Sequence, residues 1–147
     1  MVKKMYCSVE DIEKQITHET LVQLTNDNSL PEVDEAVTFE AILYSSTLID
    51  GYLRGRYNLP LDTHLPLLRI IAIDLSIYRL YSRRLQADMP ESILAQYKET
   101  IKTLDKIQKG TITLELENSK EALQNNEYLT NKNPNDRIFS HEVLNGY

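Results

Sequence analysis

Three histidines and one cysteine are the residues of this 147-residue chain best suited to metal binding or nucleophilic chemistry. His18, His64 and His141 lie far apart, and none belongs to a pattern that holds a metal on one helix face. Asp62 and His64 form only a weak ligand pair, and Cys7 has no base near it in sequence. Glycine-rich phosphate loops and nucleophile-elbow motifs are absent from the sequence. The sequence therefore predicts no catalytic residue, no cofactor and no metal site.

Two other classes of function stay open at this point. An enzyme would need a pocket assembled only in three dimensions, with perturbed carboxylates around Asp50, Asp62 or Asp74. A helical DNA-binding or packaging-associated module would use arginines gathered on one face: Arg54, Arg56, Arg79, Arg83 and Arg84. The net charge of −6 and pI of about 5.1 argue against nucleic acid as the main ligand, because duplex binding relies on cationic side chains that neutralise phosphates.

The charge is unevenly distributed along the chain. Residues 1–50 carry a net −7, residues 51–110 carry +4 and residues 111–147 carry −3. Helical domains often have uneven surface charge, but an acidic part and a basic part also suit head-to-tail contacts between copies of one protein. The single cysteine is compatible with a reducing cytoplasm. No apolar run approaches the length of a membrane span, so no membrane partner is expected.

Helical periodicity predicts the elements that position these residues. Ser8 begins a short helix over residues 9–16, and Thr17 caps a second one that ends near Asn26. Apolar residues spaced by three and four predict a long helix over residues 32–53, with Gly55 as its C-cap. Residues from about 63 to 85 are apolar on nearly every side, which predicts a central helix. A fifth helix runs from about residue 91 to Lys109, before Gly110.

Polar residues within the central helix are predicted to be structural. Asp74 lies one turn before Tyr78 and close to Arg79 in sequence. A carboxylate buried without a partner would be costly, so Asp74 should accept hydrogen bonds or pair with an arginine. In the loop between the two long helices, Arg54, Arg56 and Tyr57 should either pair internally or lie at a subunit contact.

The end of the chain predicts partner-binding elements. Residues 111–117 alternate polar and apolar side chains, as in a half-buried β-strand that needs a partner edge. Residues 118–136 are polar and predict a flexible linker, whereas the last residues regain apolar side chains that dock either on their own domain or on a partner. The candidate contact residues of these two parts are Ile112, Leu114, Leu116, Ile138, Phe139, Leu144 and Tyr147.

The predicted fold is mainly α: a compact bundle of four to five helices with two long core helices, a short β segment and a flexible C-terminal tail. Residues 1–117 form the helical domain, and residues 118–147 form the polar linker and docking tail.

Two sequence blocks resemble one family of phage proteins. They are Ile49-Asp-Gly-Tyr-Leu-Arg-Gly-Arg-Tyr57 and Tyr78-Arg-Leu-Tyr81, in an ordered similarity that covers nearly the whole chain and ends at Gly146-Tyr147. On these residues the sequence resembles the Mu-like phage and prophage gene product thirty-six family. Asn58 stands where the family commonly has proline, which is a change confined to a loop.

The resemblance implies a structural role in virion assembly. It implies a small helical head-to-tail connector that forms a ring with copies of itself between the portal and tail-completion proteins, with DNA only as passing cargo. Such a protein would lie in the bacterial cytoplasm during assembly and in the virion neck afterwards. An assembly of this kind needs two different complementary patches on each subunit.

Overall fold

Five helices form the part of the chain that the structure describes. The structure is a computed structural model and describes residues 4–61, 65–84 and 88–116. The helices are α1 (Val9–Gln15), α2 (His18–Thr25), α3 (Glu35–Leu53), α4 (Pro66–Ser82) and α5 (Glu91–Lys109). The prediction of a mainly helical bundle with two long core helices is confirmed, and α5 is as long as α3.

Local capping explains where the first helices begin. Ser8 Oγ accepts from the Asp11 amide at 3.4 Å, and Asp11 Oδ2 accepts from the Ser8 amide at 3.0 Å. These two bonds form a capping box, which satisfies amides that the first helical turn leaves without partners. Thr17 caps α2 through one bond, in which its Oγ1 accepts from the Thr20 amide at 3.3 Å.

The first long helix begins three residues later than the sequence predicts. Asp34 is its N-cap, and its carboxylate accepts from the amides of Ala36 and Val37 at 3.0 and 3.2 Å. With Asp34 as the cap, the helix begins at Glu35 and not at Glu32. The prediction of Gly55 as C-cap is wrong, because Arg54 caps the helix in right-handed helical geometry.

The prediction that the fourth helix is central is confirmed. Helix α4 packs against α3 and α5 and also contacts α1 and α2. Its residues Leu68, Ala72, Leu75 and Leu80 are fully buried. The core that surrounds them draws on all five helices and includes Ile12, Leu21, Ile42, Ile49, Leu53, Leu104 and Ile107. Among the described helices, none is long and apolar enough to cross a membrane.

The prediction of a short β segment after α5 is wrong for the described residues. No strand occurs in residues 4–61, 65–84 or 88–116, and residues 111–116 are irregular. Burial does alternate along these residues. Leu114 is 3% exposed, and Ile112 and Leu116 pack partly against the core. The residues between them are exposed: Thr111, Thr113 and Glu115. One buried side therefore produces the pattern without a neighbouring strand. The predicted linker and docking tail, residues 118–147, lie outside the described residues.

Candidate partner interface

The loop after α3 is fixed by Tyr57. Its amide donates to the Leu53 carbonyl at 2.9 Å, which continues the helical hydrogen bonding beyond the end of α3. Its ring is 8% exposed, and its hydroxyl accepts from the buried Leu114 amide at 3.1 Å. Tyr57 thus connects the loop to the segment after α5 and satisfies an amide that no strand pairs.

Arg56 fixes the same two parts of the chain from another side. Its guanidinium lies 5.9 Å from the centroid of the Tyr57 ring and rests against Gly110 at the end of α5. Gly110 adopts a left-handed conformation with φ of 82° as the C-cap of this helix. A cation at this position also interacts favourably with the negative end of the helix dipole.

The segment after α5 is held at its start by the helix end. The amides of Thr111 and Ile112 both donate to the Lys106 carbonyl, at 2.9 and 3.2 Å. Leu114 then enters the core beside Tyr57. Of the predicted contact residues in this region, Arg56, Tyr57 and Leu114 make contacts within the chain, whereas Arg54 is exposed. Their contribution to a subunit contact stays a prediction.

The polar residues of α4 lie along its seam with α5. Asp74 accepts from Gln96 Nε2 at 2.8 Å and from Thr100 Oγ1 at 3.2 Å. One turn later Tyr78 stacks on Tyr97, with ring centroids 3.7 Å apart. Burial raises the pKa of Asp74, although the two hydrogen bonds oppose this effect. Arg79 does not pair with this carboxylate; it is exposed, and its guanidinium lies 4.9 Å from the centroid of the Tyr44 ring.

Asp74 provides a test of this seam. We expect Asp74→Asn to stay within about 1 kcal/mol of the parent at pH 7, since the amide oxygen can still accept a hydrogen bond. Asp74→Ala should lose about 1–3 kcal/mol because the buried Thr100 hydroxyl loses its acceptor. Because the folded-state pKa is raised, the parent should gain stability relative to Asp74→Asn as pH falls through that pKa toward the unfolded value.

Urea unfolding of the parent and both variants at pH 7 and at pH 5 measures these differences. Equal losses in Asp74→Asn and Asp74→Ala would show that the charge, and not the accepted hydrogen bond, holds the seam.

The first third of the chain is attached to α4 by arginines. Arg69 donates to Asp11 through Nε at 3.1 Å and Nη2 at 2.5 Å, and this guanidinium holds the pKa of the Asp11 carboxyl below its usual range. Arg83 and Arg84 both pair with Asp27 and also donate to carbonyls at the end of α2. They lower the pKa of Asp27 to about 2.

The sequence alone does not reveal these arginine–carboxylate pairs. The uneven charge of the sequence fits either ordinary surface variation or contacts between copies, and in the structure part of it pairs within one chain. The residues of each pair are more than fifty positions apart, and the sequence carries no signal for their contact.

These contacts within the chain argue against a DNA-binding face formed by the arginines. Arg56, Arg79, Arg83 and Arg84 each have a side-chain contact with another residue of the chain, whereas Arg54 and Arg79 are the exposed members of that set. In residues 4–61, 65–84 and 88–116, no three His, Cys, Asp or Glu side chains are placed to hold a metal ion. His64, His141, Asp62 and the tail residues Ile138, Phe139, Leu144 and Tyr147 lie outside the described residues.

The structure defines a small helical domain in which the side chains of Arg56 and Tyr57 connect the loop after α3 to the segment after α5. The model of the family described as Bacteriophage Mu, Gp36 matches residues 6–131, and the chain belongs to this family. It is 31% identical over 120 residues to the Mu-like prophage FluMu protein gp36 of Haemophilus influenzae, covering 82% of each chain. It is 27% identical over 136 residues to Gene product J of Escherichia phage Mu, covering 92% of this chain and 94% of that protein.

Proposed function

We propose that this protein is a structural component of the virion that connects the head to the tail. In this role it assembles as a ring of copies between the portal and the tail-completion proteins. The observation that carries the proposal is the family membership over most of the chain, since the relatives are encoded by phage Mu and a Mu-like prophage. The connector role is what the resemblance to this family implies, since fold alone does not determine function.

The geometry of the described domain supports this role. Tyr57 and Arg56 hold the loop after α3 and the segment after α5 in one arrangement. A preorganised surface of this kind lowers the cost of ordering side chains when a partner binds. Beyond this segment the sequence continues with apolar residues that include Ile138 and Phe139, which favours a second contact with a portal or a neighbouring copy.

Portal capture tests the proposal. The purified full-length protein is analysed by size-exclusion chromatography with light scattering, alone and with the portal protein from the same genome. We expect a complex of defined stoichiometry with the portal. Replacing Ile138 and Phe139 together by serine should weaken that capture by at least about tenfold, since two buried apolar anchors are lost.

A matched variant with Asn131 and Asn133 replaced by serine keeps the length and polarity of the tail and should bind as the parent does. A parent protein that ignores the portal, or that instead shifts duplex DNA in a salt-dependent way, would contradict the connector role and favour a nucleic-acid module.

A further inference from the structure

Helices α3 and α5 run parallel, which gives the bundle two distinct ends. Near their middles, Tyr44 of α3 and Tyr97 of α5 contact two adjacent residues of α4. Beyond their last residues, the guanidinium of Arg56 rests against Gly110. Both helices therefore begin at one end of the bundle and finish at the other. The two ends are about 28 Å apart, since each helix has 19 residues that rise 1.5 Å each.

The exposed charges of these two ends are opposite in sign. The end where the helices begin, which we call the acidic end, comprises residues 30–40 and 88–95 and contains no basic residue. Its exposed acids are Glu32, Glu35, Glu40, Asp88 and Glu91. The end where they finish, which we call the basic end, comprises residues 52–58 and 106–112 and contains no acidic residue. Its exposed bases are Arg54, Lys106 and Lys109.

Pairing within the chain leaves these charges free. Arg83 and Arg84 follow α4 near the acidic end, but both of them pair with Asp27. Within residues 4–61, 65–84 and 88–116, none of the exposed acids of the acidic end or the exposed bases of the basic end forms an ion pair. The ion pairs that attach the first third of the chain to α4 therefore do not neutralise either end.

Large apolar side chains are exposed at the same two ends. Leu30, Phe39 and Leu94 are 59%, 51% and 38% exposed, and all three belong to the acidic end. Ile70 is 57% exposed in the second turn of α4, the helix that follows the loop of the basic end. Acids at the start of a helix and bases at its finish complement the helix dipole, but this effect does not account for apolar side chains exposed beside them. Apolar side chains with charged neighbours are typical of a protein contact surface.

From this distribution we propose that the ring contact joins the basic end of one copy to the acidic end of the next. This contact deepens the connector role proposed above and rests on it. A second copy is the partner that fits, because each end carries the charge that the other end attracts. The two ends also lie on opposite sides of the domain. In a ring of many copies the two contacts of each subunit use different surfaces on nearly opposite sides.

The basic end also contains residues that the sequence predicts as contact residues. Arg54, Arg56, Tyr57 and Ile112 all belong to it. A contact between exposed charges is weak, and salt weakens it further. Copies gathered on a portal are at a high effective concentration, so we expect the contact to form more readily there than in free solution.

Carbodiimide cross-linking tests which ends meet. The reagent joins a lysine amine directly to a carboxylate without a spacer, and mass spectrometry identifies the joined residues. The full-length protein is treated alone and with its portal. We expect Lys106 or Lys109 to be joined to acids of the acidic end. Such a link must form between copies, because about 28 Å separates the two ends of one chain. The pair of Lys102 and Glu99, 3.3 Å apart within the chain, shows that the reagent has reacted.

Charge reversal tests the pairing of the two ends. One variant carries Lys106→Glu with Lys109→Glu, and a second carries Glu32→Lys with Asp88→Lys. Each variant alone has two ends of like charge, so its yield of cross-linked copies should fall at least about tenfold below that of the parent. In an equimolar mixture of the two, every contact again joins opposite charges. The yield should return to within about threefold of the parent, with links between the reversed positions of the two variants.

Lys14→Glu with Lys98→Glu is the matched control, because it makes the same change in net charge at exposed residues outside both ends. Its yield should equal that of the parent, and a thermal unfolding transition shows that each variant is folded. Portal capture without links between the two ends, or a mixture as weak as its components, would overturn this contact and leave the connector role standing. Links in free solution without portal capture would support the contact and contradict the connector role, whereas the absence of both would overturn both.

Discussion

Replacing Leu114 by alanine is expected to lower the free energy of unfolding by about 2–5 kcal/mol, as for other large-to-small changes in a core. Leu114 is 3% exposed and lies in the cluster formed with residues of the helices. It is the one fully inserted side chain of residues 111–116, since Ile112 and Leu116 are only partly buried. Urea unfolding followed by circular dichroism measures the loss.

Thr113→Ala is the matched control, because it truncates the exposed neighbour in the same segment and should change stability by less than about 0.5 kcal/mol. Tyr57→Phe separates the hydrogen bond from the packing. It leaves the Leu114 amide without its acceptor and should cost about 1–3 kcal/mol. If Leu114→Ala and Thr113→Ala behaved alike, the segment would not be part of the folded core.

The helices of this protein are predictable from sequence because their causes are local. Ser8 and Thr17 cap the first two helices where the sequence predicts, since a cap depends on residues within one turn. Apolar residues on nearly every side of α4 likewise predict its central position. The start of α3 is shifted because Asp34 caps the helix, and its carboxylate accepts from the free amides of Ala36 and Val37.

The segment after α5 shows why one pattern can have two structural causes. Alternation of polar and apolar side chains indicates that one side of a segment is buried. It does not indicate which groups form hydrogen bonds with the backbone amides and carbonyls. Here the Tyr57 hydroxyl accepts from the Leu114 amide, so no strand pairing is needed there. The sequence could not reveal this bond, because Tyr57 and Leu114 are 57 positions apart.

The contacts that hold the loop after α3 are not predictable from the sequence. The loop residues Arg54, Arg56 and Tyr57 stand out in sequence, yet their types do not show which of them are already engaged. The structure places Arg56 against Gly110 and leaves Arg54 exposed.

Replacing Gly110 by alanine is expected to destabilise the domain by about 1–3 kcal/mol, as for other side chains held in a strained backbone conformation. Two independent causes act at this position. The φ of 82° favours glycine, and an added Cβ would lie 1.6 Å from Arg56 Nη1, so the guanidinium would have to leave the end of α5. Gly55→Ala is the control: it has open space and no positive φ, and should be neutral or slightly stabilising.

A double-mutant cycle separates the two causes at Gly110. In an Arg56→Ala background the steric conflict is removed, so Gly110→Ala should cost about 1 kcal/mol less than it does in the parent. The remaining cost reports the backbone strain of a left-handed alanine. Thermal unfolding of the four proteins measures this coupling. Strictly additive losses would mean that Arg56 moves away freely, and that its contact with Gly110 does not hold the loop after α3 against the end of α5.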